Sequence, residues 1–541
     1  MPVESFDFIV TGAGSAGCAV AARLSEVGAY RVLLLEAGRR DRNPWIHIPL
    51  GYHKLFTHPR YNWKFESEPI AGLNNRTSYQ PRGKMLGGTS SLNGLIYMRG
   101  TPADYDGWRQ RGCQGWDYAS VLPYFKKAEN QQRGASEFHG VGGPLNVCDQ
   151  PFRHELVEAM LAASVEAGIA PNGDFNGASQ DGVGRYQATA MAGRRCSAAA
   201  AYLKPTRNRH NLVVRPEAHA TRILIEDGRA VGVQYRSRRG LETVHCRGEV
   251  IVCGGVYGSP QLLLLSGIGP GGHLQEMGIP VLRELPAVGA NLHDHFNSYV
   301  AFRCAKPITL NDLARSPLAK LTAALQYAFG RSGHLAGPGL YAGAFVRSDP
   351  RFDRPDLQMN FFLWSIKKRD ATGVHPHDFP GFSLSPVHLR PEGRGSVRLA
   401  SPDPLAAPRI RLAYLSTAHD IEAMLFGMRL ARKIASQPSL RPYVVEEVLP
   451  GAMVRGDEAM TEDLRQRGVS NLHPVGSCRM GHGPDAAVDP RLRVHGVAGL
   501  RVIDASIMPQ VVGGNTNAPA IMIGEKGAAM LLEDARQGAQ L

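Results

Sequence analysis

The chain has 541 residues, 43% of them apolar and 20% charged. That is too long for one core of usual size and rich enough in core formers for two globular domains. Lys and Arg outnumber Asp and Glu by 61 to 48, a formal charge of +13. The basic residues stand in short clusters (Arg39-Arg40, Arg236 to Arg239, Lys367 to Arg369) with no long arm and no nucleic-acid module, which argues against a nucleic-acid partner.

The first elements form a βαβ opening: a strand over Asp7 to Thr11, the turn Gly12-Ala-Gly-Ser-Ala-Gly17, an Ala-rich helix through Ser25, and a strand over Arg31 to Glu36. Residues 37–100 are rich in Gly, Pro and Asn and read as loops and short helices wrapped around something. Residues 151–169 read as helix, and 211–235 as a hairpin turning at Asp227-Gly228. Val250 to Cys253 is an apolar strand feeding Gly254-Gly255 and a helix over Pro260 to Leu265. From about 300 to 465 the glycine fingerprints stop, which suggests a second domain inserted in the first. Arg501 to Ile503 is again a strand, and a helix over Ala520 to Asp534 closes the chain. The eight cysteines form no CxxC pair and read as reduced, mostly buried thiols. No apolar run approaches the ~20 residues of a membrane span. With a strand near the start in place of a basic-then-apolar leader, we expect a cytoplasmic protein. Its charge leaves contact with an anionic membrane open.

Four motifs carry the chemistry. In Gly12-x-Gly14-x-x-Gly17, Gly12 permits the tight turn, Gly14 lets a pyrophosphate approach the backbone, and Gly17 lets helix pack on strand; the helix N-terminus then faces the anion. Glu36 ends the second strand, 19 residues after Gly17, where a carboxylate can accept ribose hydroxyls. This context predicts a dinucleotide without separating FAD from NAD. Pro81-Arg82-Gly-Lys-Met-Leu-Gly87-Gly88-Thr-Ser90-Ser-Leu92-Asn93-Gly94 offers ligand-contacting backbone and hydroxyl donors. Asn471-Leu-His473-Pro474 fixes a histidine in a restricted loop. Asp504-Ala505 and Gly513-Gly-Asn515-Thr-Asn517 complete the set.

Together these motifs resemble the glucose–methanol–choline oxidoreductases over nearly the whole chain. The similarity includes Gly258-Ser-Pro-Gln261, Ser266-Gly-Ile-Gly269 and Val288-Gly-Ala-Asn291-Leu-His293-Asp294-His295. Trp63 to Pro69, Asp174 to Gly177 and Arg195-Cys-Ser197 are similar to bacterial alkanol, sorbose and choline dehydrogenases. The resemblance implies an α/β fold: a Rossmann-like FAD-binding domain (1–150, 190–300, 466–541) with an inserted α+β substrate-binding domain (151–189, 301–465), an antiparallel sheet flanked by helices. It implies that Gly12, Gly14, Gly17 and Glu36 hold the ADP part of FAD. Arg82, Gly87, Gly88, Ser90, Asn93, Gly94, Ala220, Asp504 and Ala505 complete the implied cofactor set. It makes His473 the catalytic base and Asn515 its partner, the choline-like choice at that position. An imidazole suits removal of the O–H proton while the hydride goes to the flavin, and an amide N–H suits the developing alkoxide. The expected reaction is oxidation of a neutral, primary alcohol, with a quinone or dye-like acceptor, and with a rate that rises with pH as the imidazole loses its proton. An oxidase using O2 and a hydroxynitrile-lyase-like enzyme are the alternatives on this scaffold. Leu92 stands where covalent members carry the flavin-linking histidine, so FAD is expected to bind non-covalently. The pair His293-x-His295 has no evident third ligand, so no metal is expected.

Overall fold

A computed structural model describes residues 4–538. β1 (Ser5–Thr11), α1 (Ser15–Glu26) and β2 (Val32–Glu36) form the expected βαβ unit. β2 is buried at all five positions, as its unbroken apolar run requires of a parallel strand covered on both faces. β3 (Leu212–Pro216) pairs in parallel with β2. β4 (Gly240–Val252) runs parallel to β1 through its second half, and β5 (Leu500–Val502) lies parallel to β4. The parallel order is therefore 3-2-1-4-5, with the reversal between β1 and β4, where open α/β sheets bind ligands outside the strands' carboxyl ends.

The hairpin differs from its expected extent. Residues 212–216 belong to the parallel sheet, and the hairpin is His219–Glu226 with Arg229–Ser237, continuing antiparallel into β4. Its turn is Asp227-Gly228, both at positive φ (47° and 74°), the conformation that matches strand twist in a two-residue loop. α2 (Gly255–Leu265) starts five residues before the expected helix, and the C-terminal helix Asn517–Gly538 packs beside α1. Residues 37–100 hold only short pieces, such as Pro44–His47, Tyr52–Leu55 and the turn Gly88–Ser91.

A second sheet of eight strands is antiparallel throughout. Its strands are Gly182–Arg185, Phe296–Asn297, Val300–Cys304, Leu340–Val346, Leu357–Phe362, Gly381–His388, Val444–Leu449 and Val469–Ser470. Phe296–Asn297 and Val469–Ser470 lie in stretches the sequence reading grouped with the first domain. The helices Glu155–Glu166 and Ala418–Ala435 pack on this sheet and close a second apolar core through Leu357, Met424, Met428 and Ile434. The two largest apolar clusters each gather around one of the two large sheets.

The fingerprint glycines do different work. A side chain at Gly12 would overlap the Cys253 carbonyl, and one at Gly17 would overlap the Gly12 carbonyl; a Cβ at Gly14 would meet nothing within 4 Å. Gly17→Ala is expected to push α1 off β1 at about 1–3 kcal/mol, lowering Tm even without flavin. Gly14→Ala should leave that Tm unchanged and lower flavin content; thermal melts of flavin-free protein with absorbance of the purified holoenzyme check both.

Candidate active site

The carboxyl ends of β1 and β4 open into one long cavity. At one end its wall is Gly12, Gly14, Ser15, Ala16 and Glu36; at the other it includes His473, Asn515 and residues of the second sheet. Two helix N-termini converge on it, α1 at Ser15 and the C-terminal helix at Asn517, joined by a Ser15 Oγ to Asn517 Oδ1 hydrogen bond of 2.7 Å. Aligned N–H groups and positive dipole ends make this a site for an anion such as a pyrophosphate. The second glycine loop closes on the first, with Gly87 N–H donating to the Ala13 carbonyl (2.7 Å). A Cβ at Gly88, where φ is +52°, would stand 2.7 Å from the Gly14 Cα.

Of the sequence-predicted residues, Gly12, Gly14, Glu36, Arg82, Gly88, Asn93, Gly94, Ala220, His473, Asp504, Ala505 and Asn515 line the cavity; Gly17, Gly87 and Ser90 do not. Gly17 is spent on packing. The Ser90 hydroxyl donates to the Gly87 carbonyl (2.5 Å) and accepts the Ala198 N–H (2.9 Å), so it shapes the loop from behind. Glu36 accepts the N–H groups of Ala13 (2.9 Å) and Gly38 (2.7 Å), tying the fingerprint turn to the end of β2. Burial lifts its carboxyl to about 7, against those two hydrogen bonds. Asp504 accepts from Gly255 N–H (2.8 Å) and Ser259 Oγ (2.5 Å) with one oxygen and from Ser506 N–H (2.8 Å) with the other. It clamps α2 to the turn after β5. Asn93 is held by the buried Arg195, whose guanidinium donates to its Oδ1 (2.7 Å) and to the Ser90 carbonyl (3.1 Å).

His473 sits at the far end, just after Leu472, whose φ is +65°, and before Pro474. Its own N–H donates to Asp294 Oδ1 (2.7 Å); Asp294, fully buried, also accepts from Tyr414 Oη and Ser470 Oγ. The loop geometry is thus locked by one carboxylate. On the ring, Nε2 lies 3.0 Å from the Asn515 side-chain amide nitrogen, and Nδ1 lies 3.0 Å from His295 Nδ1 and 3.2 Å from the Asn471 amide. An Asn515 N–H donated to Nε2 leaves the ring proton on Nδ1, facing His295 Nδ1 as its acceptor. Burial, followed by the charge of Arg82, lowers the His473 imidazole to about 3. Arg82 itself bridges the two loops through the Leu472 carbonyl (3.0 Å), with its Nε and Nη2 buried and unpartnered. His293 does other work: its Nδ1 faces the Asn291 carbonyl (2.7 Å) and its Nε2 accepts the Val511 N–H (2.9 Å), so both nitrogens are taken.

Sequence reasoning missed Asp294, His295 and Asn471 as working residues, although two lie in the recognised string and one sits two residues before His473. It also missed Tyr52, His53 and Phe56 in the loop-rich stretch; with Tyr299, Phe362 and Trp364 these form the cavity wall near His473. His53 stacks on Trp364 with centroids 4.4 Å apart, and burial holds its imidazole at about 3.

The GMC oxidoreductase family, through its N-terminal and C-terminal parts, matches residues 6–297 and 391–524. The chain belongs to the GMC oxidoreductases. It is 42% identical to an alcohol dehydrogenase [acceptor] of Pseudomonas putida over 97% of this chain and 96% of that one. It is 41% identical to the human mitochondrial choline dehydrogenase over 98% and 90%, and 43% identical to an oxygen-dependent choline dehydrogenase of Rhizobium johnstonii over 97% and 95%. Among solved structures it is similar to pyridoxine 4-oxidase from Mesorbium loti, with TM-score 0.88 and 29% identity over 97% of this chain and 99% of that one. Formate oxidase gives TM-score 0.92 at 26% identity over 99% and 100%.

This GMC oxidoreductase is therefore an FAD-dependent enzyme of alcohol oxidation. The cavity fits that cofactor, since the open face of Gly14 and the paired helix N-termini offer a pyrophosphate cradle at one end while the His473–Asn515 pair closes the other. When bound, FAD supplies the hydride acceptor. The chain supplies a neutral imidazole and an amide at one point, a proton acceptor beside a hydrogen-bond donor, away from bulk water. The lowered His473 value changes the expected pH behaviour. A histidine whose value falls from 6.5 to about 3 keeps its base form at every pH above that, so no rise with pH is expected from it in the ordinary range. His473→Ala is expected to cut kcat about 10²–10⁴-fold with flavin content retained, and Asn515→Ala to cost less than about 4 kcal/mol of barrier. Wild-type kcat/KM should stay flat between about pH 5 and 9 as far as His473 is concerned, falling only on the acid side; steady-state assays across that range check both.

Proposed function

We propose that this enzyme oxidises a neutral primary alcohol carrying an aromatic or other bulky apolar group, and hands the electrons to a quinone or similar acceptor in preference to dioxygen. The observation that carries the substrate reading is the wall around His473 and Asn515. It is built of Tyr52, Phe56, Tyr299, Phe362 and Trp364, and its fixed charges there are the guanidiniums of Arg82 and Arg369. The carboxylates on the cavity wall, Glu36 and Asp504, belong to the glycine-loop end and spend their oxygens on N–H and O–H donors. A quaternary ammonium would meet aromatic faces but like charge where it needs a carboxylate. Of the basic run, Lys367 and Lys368 are exposed and only Arg369 faces the cavity.

In this reading Gly12, Gly14 and Glu36 hold the ADP part of FAD, and Arg82, Gly88, Asn93, Gly94, Ala220, Asp504 and Ala505 line its course. The second sheet with its helices serves as the substrate-binding unit. His473 Nε2 takes the hydroxyl proton, His295 keeps the ring oriented by accepting the proton on Nδ1, and the Asn515 amide donates to the oxygen as it becomes anionic. FAD is held without a covalent link: Leu92, buried against the cavity, offers no nucleophile, and burial keeps the Cys253 thiol protonated. The preference for an organic acceptor rests on the similarity to the Pseudomonas alcohol dehydrogenase. Eight free thiols, seven of them buried, suit a cytoplasmic enzyme.

Anaerobic mixing with a panel of alcohols while flavin absorbance is followed tests the substrate class. Aromatic and long aliphatic primary alcohols should bleach the flavin with higher kcat/KM than choline, and quinone or dye should reoxidise it faster than air. Choline as the preferred substrate, or peroxide released as fast as dye is reduced, would overturn the corresponding part. Acid precipitation should leave the flavin in the supernatant; flavin that stays with the pellet would contradict a non-covalent site.

A further inference from the structure

The Asn515 side chain is held by a single hydrogen bond among the described residues. Its Nδ2 lies 3.0 Å from His473 Nε2, and its Oδ1 is buried with no partner. When a substrate oxygen takes that N–H, the backbone alone sets where the amide stands. Yet the two residues before it are Gly513 and Gly514, the residue type with the most conformational freedom to lose. A catalytic amide on such a loop needs clamps from outside it.

The structure supplies them almost residue by residue. Trp108 Nε1 donates to the Gln510 carbonyl (2.9 Å), and His293 Nε2 accepts the Val511 N–H (2.9 Å). Gly513 is gripped at both ends: its N–H donates to Asp104 Oδ2 (2.8 Å) and its carbonyl accepts from Gln180 Nε2 (2.7 Å). Asp104 and Trp108 lie one turn apart on one face of the helix Pro102–Gln110. Asp104 is buried, and both its oxygens are spent. Oδ2 also accepts the Thr101 N–H (2.8 Å), while Oδ1 accepts from Arg390 Nη1 and has Arg354 Nε at 3.7 Å. Burial opposes its charge, but the two guanidiniums outweigh burial and hold the carboxyl below its usual range. A Cβ on Gly513 would stand 2.5 Å from Arg390 Nη2, so the guanidinium lies against the same peptide that Asp104 holds. Gln180 and Arg390 each sit two residues from a strand of the second sheet, Gly182–Arg185 and Gly381–His388. The grip on Gly513 thus closes between that sheet and the helix Pro102–Gln110. Resting on the reading of Asn515 as donor to the developing alkoxide, we propose that Asp104, Arg390 and Gln180 are positioning residues for that amide. Asp104, paired with Arg390, and Gln180 fix the Gly513 peptide, and through it the place of Asn515 opposite His473 Nε2.

A double-mutant cycle on the holoenzyme tests this, with anaerobic flavin reduction by the panel alcohol that bleaches the flavin fastest as the readout. Asp104→Asn should slow reduction about 10- to 100-fold, and Gln180→Leu, which removes no charge, about 3- to 10-fold. Flavin content and the alcohol concentration for half-maximal rate should stay near wild type in both. In an Asn515→Ala background the same two changes should each cost less than about twofold, because the amide they position is gone. A cluster that merely ties the second sheet to the helix would lower Tm and slow reduction by the same factor whatever stands at 515. Equal factors in the two backgrounds therefore overturn the proposal. So do Asp104→Asn and Gln180→Leu enzymes that both reduce flavin at the wild-type rate while Asn515→Ala is slow. An Asn515→Ala enzyme with the wild-type rate removes the role of Asn515 itself, and the proposal with it. Should Asp104→Asn not fold, the Gln180→Leu cycle decides alone.

Discussion

Three stretches of backbone meet with nothing but glycine between them, and the site hangs on that contact. The turn after β1 presses on the Cys253 carbonyl at the end of β4, α1 returns over the turn at Gly17, and Gly88 of the second loop rests on Gly14. Any side chain at Gly12, Gly17 or Gly88 would drive these segments apart. Because they touch, the free N–H groups of α1 and of the C-terminal helix end up facing one space, and the reversal of strand order between β1 and β4 becomes an opening of the right kind for a dinucleotide. Glu36 and Asp504 reinforce the same junction from two sides, each spending a buried carboxylate on backbone N–H groups of the neighbouring turn.

The second constraint is dryness. His53, His293, His295 and His473 are all pushed well below the usual imidazole range, burial being the first cause in each. Neutral imidazoles can be packed close without repulsion, which is how His295 and His473 share a hydrogen bond through their Nδ1 atoms. The nearby cations do not neutralise this region; they reinforce it, because Arg82 beside His473 disfavours a charged ring further. An imidazole kept unprotonated by its surroundings can accept a proton at any ordinary pH, and the loop that carries it is held by Asp294 through two donors of its own, Ser470 Oγ and His473 N–H, while Tyr414 Oη donates from a second segment. The position of the His473 ring and the stability of its loop therefore depend on the same buried carboxylate.

The sequence by itself determined the βαβ opening, the dinucleotide fingerprint and the Asp227-Gly228 hairpin turn, whereas the candidate pair His473 and Asn515 came from the resemblance to a family and not from the local pattern. The first three are local signals: glycine spacing, an apolar run of strand length, a two-residue turn between alternating strands. Apolar alternation and turn residues act over a few neighbours, so they survive being read one segment at a time. Tertiary structure alone decided that residues 212–216 join the parallel sheet, since parallel and antiparallel partners of a short apolar strand look the same in sequence. It also decided that Ser90 turns away from the cavity and Arg82 into it, that Asp294, more than a hundred residues upstream, anchors the His473 loop, and that Tyr52 and Phe56 share a wall with Phe362 and Trp364. Most of all, burial of the His473 ring removed the titration that an isolated histidine would show near neutral pH. Desolvation is a property of everything packed around a group, contributed here by segments hundreds of residues apart, and no local pattern encodes it.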